Sequence, residues 1–164
     1  MQLLFVEASE VAVKCFVNFA YEQSRIKWQI RRVSDAYECI DYLSGFQDFA
    51  NRARFPLPQI VVLSLSAGIT RALDLLAWLR GEGQFRDLPV VVANAPTGST
   101  EDISACELAP RGCFVQTAGY HQVLSLCEAV VLNAYPSASR ATLIHEPSLH
   151  AFLGKRSQIR LSAP

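Results

Sequence analysis

Charge is scarce in this chain. Asp, Glu, Lys and Arg make up 18% of its 164 residues, against the roughly 25% usual for soluble domains. That scarcity leaves apolar surface available to a partner. Neither sign is in excess, since fifteen basic residues balance fifteen acidic ones. The electrostatic footprint expected of a nucleic-acid or anionic-membrane binder is therefore missing. No apolar run approaches the ~20 residues that span a bilayer. The first one, Leu3 to Val6, has no basic residues before it and runs straight into Glu7, so no targeting segment is expected and the chain reads as cytoplasmic.

Chemistry-bearing clusters are equally thin. The five cysteines, Cys15, Cys39, Cys106, Cys113 and Cys127, are odd in number, widely spaced and without a C-x-x-C pair. They predict reduced core thiols rather than a disulfide framework or a zinc site. His121, His145 and His150 are grouped with neither acids nor cysteines, so no metal is expected. The loop Ala95–Thr100 (APTGST) lacks a glycine-rich phosphate fingerprint and is explained by helix capping. The flanks of Ser64, in Val-Leu-Ser-Leu-Ser, lack the glycines of a nucleophile elbow. These absences predict no enzyme and no cofactor.

What is present is an alternation of strands and helices. Hydrophobic residues form 51% of the chain, enough for one sizeable core at this length. Short apolar runs recur at 3–6, 60–63 and 89–93, with a weaker one at 113–115. Runs apolar at every position suit strands covered on both faces, as in a parallel sheet. The stretch 26–33 differs: Ile26, Trp28 and Ile30 alternate with Lys27, Gln29 and Arg31. That period of two predicts an edge strand with one exposed face.

Helices are expected between the strands. Ser9 can cap one running to about Ser24, with Val13, Phe16, Val17 and Ala20 inward. Ser34 or Asp35 opens a second, burying Cys39, Ile40 and Leu43 up to Gly45. Thr70 begins a third, carrying Leu73, Leu76, Ala77 and Leu79 to about Gly81. A capping box at Ser99–Asp102 predicts a short fourth helix. A fifth, from about Tyr120 to Asn133, turns Val123, Leu124, Leu126, Cys127, Val130 and Val131 inward and stops before Pro136. The pattern is a doubly wound α/β fold, (βα)5 of flavodoxin-like topology, with five parallel strands in the order 2-1-3-4-5.

In such a sheet, chemistry gathers at the carboxyl ends of the strands. There the chain reads Val6-Glu7-Ala8-Ser9 after strand one, Ser64 after strand three, Asn94 after strand four, and Gln116-Thr117 after strand five. The order, spacing and strand content over about residues 1–134 resemble the receiver domain of two-component response regulators. The long segment 45–58 resembles, more narrowly, the single-domain regulators that partner phytochrome-type histidine kinases. The resemblance implies two metal-binding acids after strand one, a phosphate-accepting aspartate after strand three, a Thr or Ser after strand four and a lysine after strand five. Here Glu7 keeps one acid, and the other positions hold Ala8, Ser64, Asn94 and Gln116. A serine hydroxyl forms no acyl phosphate, and Mg²⁺ wants several oxygen ligands. Gln116 brings no charge to pair with a phosphoryl group.

The expectation is a degenerate pseudo-receiver without aspartyl phosphorylation, metal or cofactor, in which Asn94 and Gln116 could hydrogen-bond each other or Ser64. It would act by contact with a histidine kinase or other signalling protein, or with a second copy. The resemblance implies an interaction surface that includes Cys113, Tyr120 and His121. Two alternatives stay open, a receiver that answers phosphodonors by an atypical route and a small-ligand-binding flavodoxin-like protein. Residues 136–164 lie outside the resemblance as an extension of the 1–135 domain. Leu149 and Phe152, in an apolar cluster of helical spacing, make that extension a partly ordered docking segment or a flexible tail.

Overall fold

The computed structural model describes residues 1–65, 69–95, 113–116, 119–132 and 142–144, and within these 69–70, 95, 113–116 and 142–144 through their backbone alone. The capping box at 99–102, Pro136, Leu149 and Phe152 lie outside the described residues. The elements are β1 (Gln2–Val6), α1 (Glu10–Gln23), β2 (Gln29–Val33), α2 (Ala36–Ser44), a 3-10 helix (Gln47–Ala50), β3 (Ile60–Ser64), α3 (Ile69–Gly81), β4 (Val90–Ala95), β5 (Cys113–Gln116), α4 (Tyr120–Val131) and β6 (Thr142–Ile144). Helix α4 is the one expected from Tyr120.

All strand pairs are parallel, in the order β2-β1-β3-β4-β5-β6. The expected order 2-1-3-4-5 is there, with β2 at one end. A sixth strand from the C-terminal extension adds to the expected five. Its Thr142-Leu143-Ile144 is a β-branched and apolar triplet that suits pairing beside β5.

Side chains alternate along each strand and feed two cores. Leu4, Val6, Val33, Val61, Leu63, Val90 and Val92 meet Cys39, Tyr42 and Leu43 of α2 and Leu75, Leu76 and Leu79 of α3. Leu3, Phe5, Ile60, Val62, Val91 and Ala93 meet Val13, Phe16 and Ala20 of α1 and Val123, Leu124, Leu126 and Cys127 of α4. Both faces being covered is why these strands read as continuous apolar runs. Strand β2 departs, its residues 29–32 alternating between exposed and half-buried before the buried Val33.

Local signals set the helix ends. Ser9 Oγ accepts the Ala12 N–H at 3.2 Å, and Asp35 accepts from Tyr37 and Glu38 at the start of α2. Gly45 closes α2 in the left-handed region at φ +72°. Two inward expectations fail. Val17 and Ala77 are exposed, while Ala72 and Leu75 are buried in α3. The burial stripe of α3 runs through residues 72, 75, 76 and 79, which leaves Leu73 at its edge and Ala77 outside it.

The segment after α2 is ordered by an arginine. Arg52 donates to the carbonyls of Tyr42 (2.7 Å), Leu43 (2.6 Å) and Phe55 (3.4 Å). It thereby adds a charged donor to two of the last carbonyls of α2, of which Tyr42 O also accepts the Gly45 N–H at 3.3 Å. Tyr42, Phe49 and Phe55 form a three-ring cluster beneath it, with centroids 5.2–6.0 Å apart.

Candidate functional site at the strand tips

The carboxyl ends of β1, β3, β4 and β5 stand side by side, bringing Glu7, Ala8, Ser64, Asn94 and Gln116 to one rim. Glu7 and Ser64 are the two buried polar residues among those described, at 4% and 3% exposure. Glu7 continues the ladder, its N–H donating to Val33 O at 3.0 Å. Its carboxylate turns back to accept the Ser9 N–H at 2.9 Å. A carboxylate so placed interacts favourably with the positive end of α1. Ala8 is exposed and brings no oxygen side chain.

Ser64 closes β3, opposite Ala93 in register. Its hydroxyl accepts from Asn94 Nδ2 at 3.3 Å. Asn94 sits in the left-handed region at φ +58°, a conformation that Asn tolerates better than most residues. The local cause is a bulge. The β4–β5 register steps from Val92–Phe114 to Ala95–Gln116, so β4 spends one residue more than β5 over the interval. Bulges re-aim side chains at sheet rims, and here the irregularity spans Asn94. Of the expected bonds among Asn94, Gln116 and Ser64, the one from Asn94 to Ser64 is formed. Gln116 is placed by its backbone opposite Ala95.

A residue that the sequence reading passed over completes the rim. Arg32, near the end of β2 and paired in register with Phe5, donates from Nε to Glu7 O at 2.9 Å and from Nη2 to Ala8 O at 2.6 Å. Its Nη1 lies 3.6 Å from Glu10 Oε1, and Lys14 lies 3.8 Å from the other oxygen of Glu10. The β1–α1 loop is thus held by a guanidinium of the same chain. No periodicity announces such a bond, because backbone carbonyls are its acceptors. The one available signal was a pair of arginines, Arg31-Arg32, where alternation alone would place a single exposed cation.

Magnesium, which the receiver resemblance implies, does not suit this donor set. It requires near-octahedral oxygen coordination. The rim supplies one carboxylate, engaged with Ser9 N–H, and a hydroxyl already accepting from Asn94. Among the described residues no group of three His, Cys, Asp or Glu could hold a metal.

The expected interaction residues take up separate places. Tyr120 and His121 are exposed at the start of α4, with the Tyr120 ring edge-on to Phe16 at 5.9 Å. The Tyr120 phenol is pushed up from its ordinary value by burial first, then by Cys15 and Glu7, so the buried carboxylate is felt at the root of α4. Cys113 opens β5, paired in register with Val91 and Thr142.

No known family profile and no curated protein sequence matches the chain. Solved structures do. A response regulator in red light signaling of R. palustris is 22% identical, with TM-score 0.65 over 86% of this chain and 98% of that one. The phosphorylated cyanobacterial phytochrome response regulator RcpA is 18% identical, with TM-score 0.64 over 82% and 96%. The bacteriophytochrome response regulator RtBRR is 20% identical, with TM-score 0.64 over 98% and 93%. At such identities the likeness is one of fold. The fold of this chain is that of the response-regulator receiver domains, phytochrome response regulators among them.

Proposed function

We propose that this protein is a degenerate receiver of two-component signalling, one that works through protein–protein contact without aspartyl phosphorylation. The observation that carries the reading is the tip of β3. Where the receiver resemblance implies an acceptor carboxylate, there is a buried serine hydroxyl bonded by Asn94. The neighbouring positions agree with it. Glu7 is committed to the α1 N-terminus, Ala8 offers no ligand, and Gln116 carries no charge. A serine hydroxyl forms no acyl phosphate, and this reading gives the rim no catalytic role.

The partner is a histidine kinase or another signalling protein, with a second copy of the chain as a further possibility for the same surface. Tyr120 and His121, exposed at the start of α4, belong to the contact face. No helix among the described residues is long and apolar enough to cross a membrane. The rim, with its one carboxylate already engaged, also gives a flavodoxin-like ligand little to hold.

Incubation with acetyl phosphate and Mg²⁺, read by intact mass, should give no phosphoryl adduct. Addition of a beryllofluoride mimic should leave the amide resonances of Ser64 and Asn94 in place. A stoichiometric aspartyl adduct would overturn the reading in favour of an atypical phosphorelay receiver.

A further inference from the structure

Among the described residues, strand β2 ends the sheet and pairs with β1 on one side only. Gln29 N–H donates to Met1 O at 2.7 Å, and Val33 O accepts the Glu7 N–H. Residues 29, 31 and 33 therefore turn their backbone polar groups towards β1. Ladder alternation then turns the N–H and C=O groups of Ile30 and Arg32 outward. An open row of this kind is a template for another strand.

The charge around that row has one sign. Between Ser24 and Ser34 the chain carries Arg25, Lys27, Arg31 and Arg32 and no acid. Arg54 joins them from the loop before β3, and Arg31 donates to its carbonyl at 3.1 Å. Both guanidiniums lie over the Phe55 ring, at 5.7 and 5.1 Å from its centroid. Arg25, Lys27, Arg31 and Arg54 are exposed. Several nearby acids are engaged, Glu10 with Arg32, Asp35 with the α2 cap, Glu38 with Ser34, and Glu128 with Ser24 and the Arg25 backbone, whereas Glu22 is exposed in the last turn of α1. In a chain of zero net charge this is a local concentration of cations. A second copy of β2 would set like charges opposite one another, which is destabilising.

We propose that the outer edge of β2 receives an extended acidic segment of a partner protein, added as a further strand. The backbone groups of Ile30 and Arg32 bond that segment, and its carboxylates meet Arg25, Lys27, Arg31 and Arg54. The docking is independent of whether the strand tips accept phosphate, because it uses the opposite side of β2 from β1 and none of the rim side chains.

The test uses the full chain and three labelled peptides of about ten residues, the length of a long strand. One alternates Glu with Val, one alternates Lys with Val, and one alternates Glu with Gly so as to keep the charge but disfavour a strand. The Glu–Val peptide should bind and weaken with added salt. It should slow hydrogen exchange of the Ile30 and Arg32 amides by roughly tenfold or more. The double variant Arg25→Glu/Lys27→Glu, at two exposed positions, should melt as the parent does and bind roughly tenfold more weakly or worse. Equal binding of the Lys–Val peptide, or of the Glu–Gly peptide without protection of those two amides, would overturn the proposal. So would no binding at all, or a concentration-dependent dimer of the chain that protects the same amides.

Discussion

At the scale of single residues, the groups that matter most are polar ones placed against backbone. Tyr42 is a case. Its hydroxyl donates to Pro56 O at 2.8 Å, and burial pushes its pKa up, with Arg31 and Arg52 opposing. A phenol whose folded value is raised contributes stability that is fully present below the unfolded value of about 10. That contribution is lost as pH rises past it towards the folded value. Tyr42→Phe should cost about 1 kcal/mol at neutral pH and should flatten the alkaline loss of stability, as read from urea midpoints across pH. An alkaline slope unchanged by the substitution would show that other groups set it. Ser64 and Asn94 belong to this scale too. The sequence showed which residue types stand at the strand tips, because loop-end positions in a parallel sheet can be counted. It did not show which of them touch, because the β4 bulge that re-aims Asn94 has no signature in Val-Val-Val-Ala-Asn-Ala.

At the scale of elements, the chain was legible wherever a signal is local. Ser9, Asp35 and Gly45 mark helix ends through their own side chains or backbone, and all three act as caps or stops. Alternation over 26–33 identified an edge strand, although β2 itself begins at Gln29. Burial on helices was less legible, since Val17 and Ala77 are apolar but exposed. An apolar residue on a flank follows helix rotation, and periodicity fixes rotation only to within a residue. The segment between α2 and β3 was legible only as a long connection. Its order comes from Arg52, whose acceptors lie up to ten residues away. Arg52→Ala should cost about 2 kcal/mol, the scale of hydrogen bonds from a charged donor, and lower the melting temperature by roughly 4–8 °C for a chain of this size. Gly45 is tied to the same contact. A Cβ there would come within 2.7 Å of Arg52 Nη2, so the arginine and the glycine fit one another.

At the scale of the whole molecule, the two cores make thiol chemistry a reporter of the fold. Cys39 and Cys127 are fully buried and Cys15 is exposed. Burial foremost, with Glu38 and Asp35 adding to it, pushes the Cys39 thiol far above its ordinary value, and only the thiolate is reactive. Alkylation at neutral pH followed by peptide mass analysis should label Cys15 in the native state and Cys39 and Cys127 only on unfolding. Native labelling of Cys39 at a rate like that of Cys15 would mean that the α2 side of the sheet opens readily. The Arg32 clamp has a consequence on this scale. It ties the β1–α1 loop to β2 through contacts within one chain, and intramolecular contacts carry no concentration dependence. A phosphoryl group comes and goes with a lifetime, whereas this setting endures as long as the fold does. On the proposed reading, any timing in the signal comes from outside the loop, from how much partner is present and how fast it leaves.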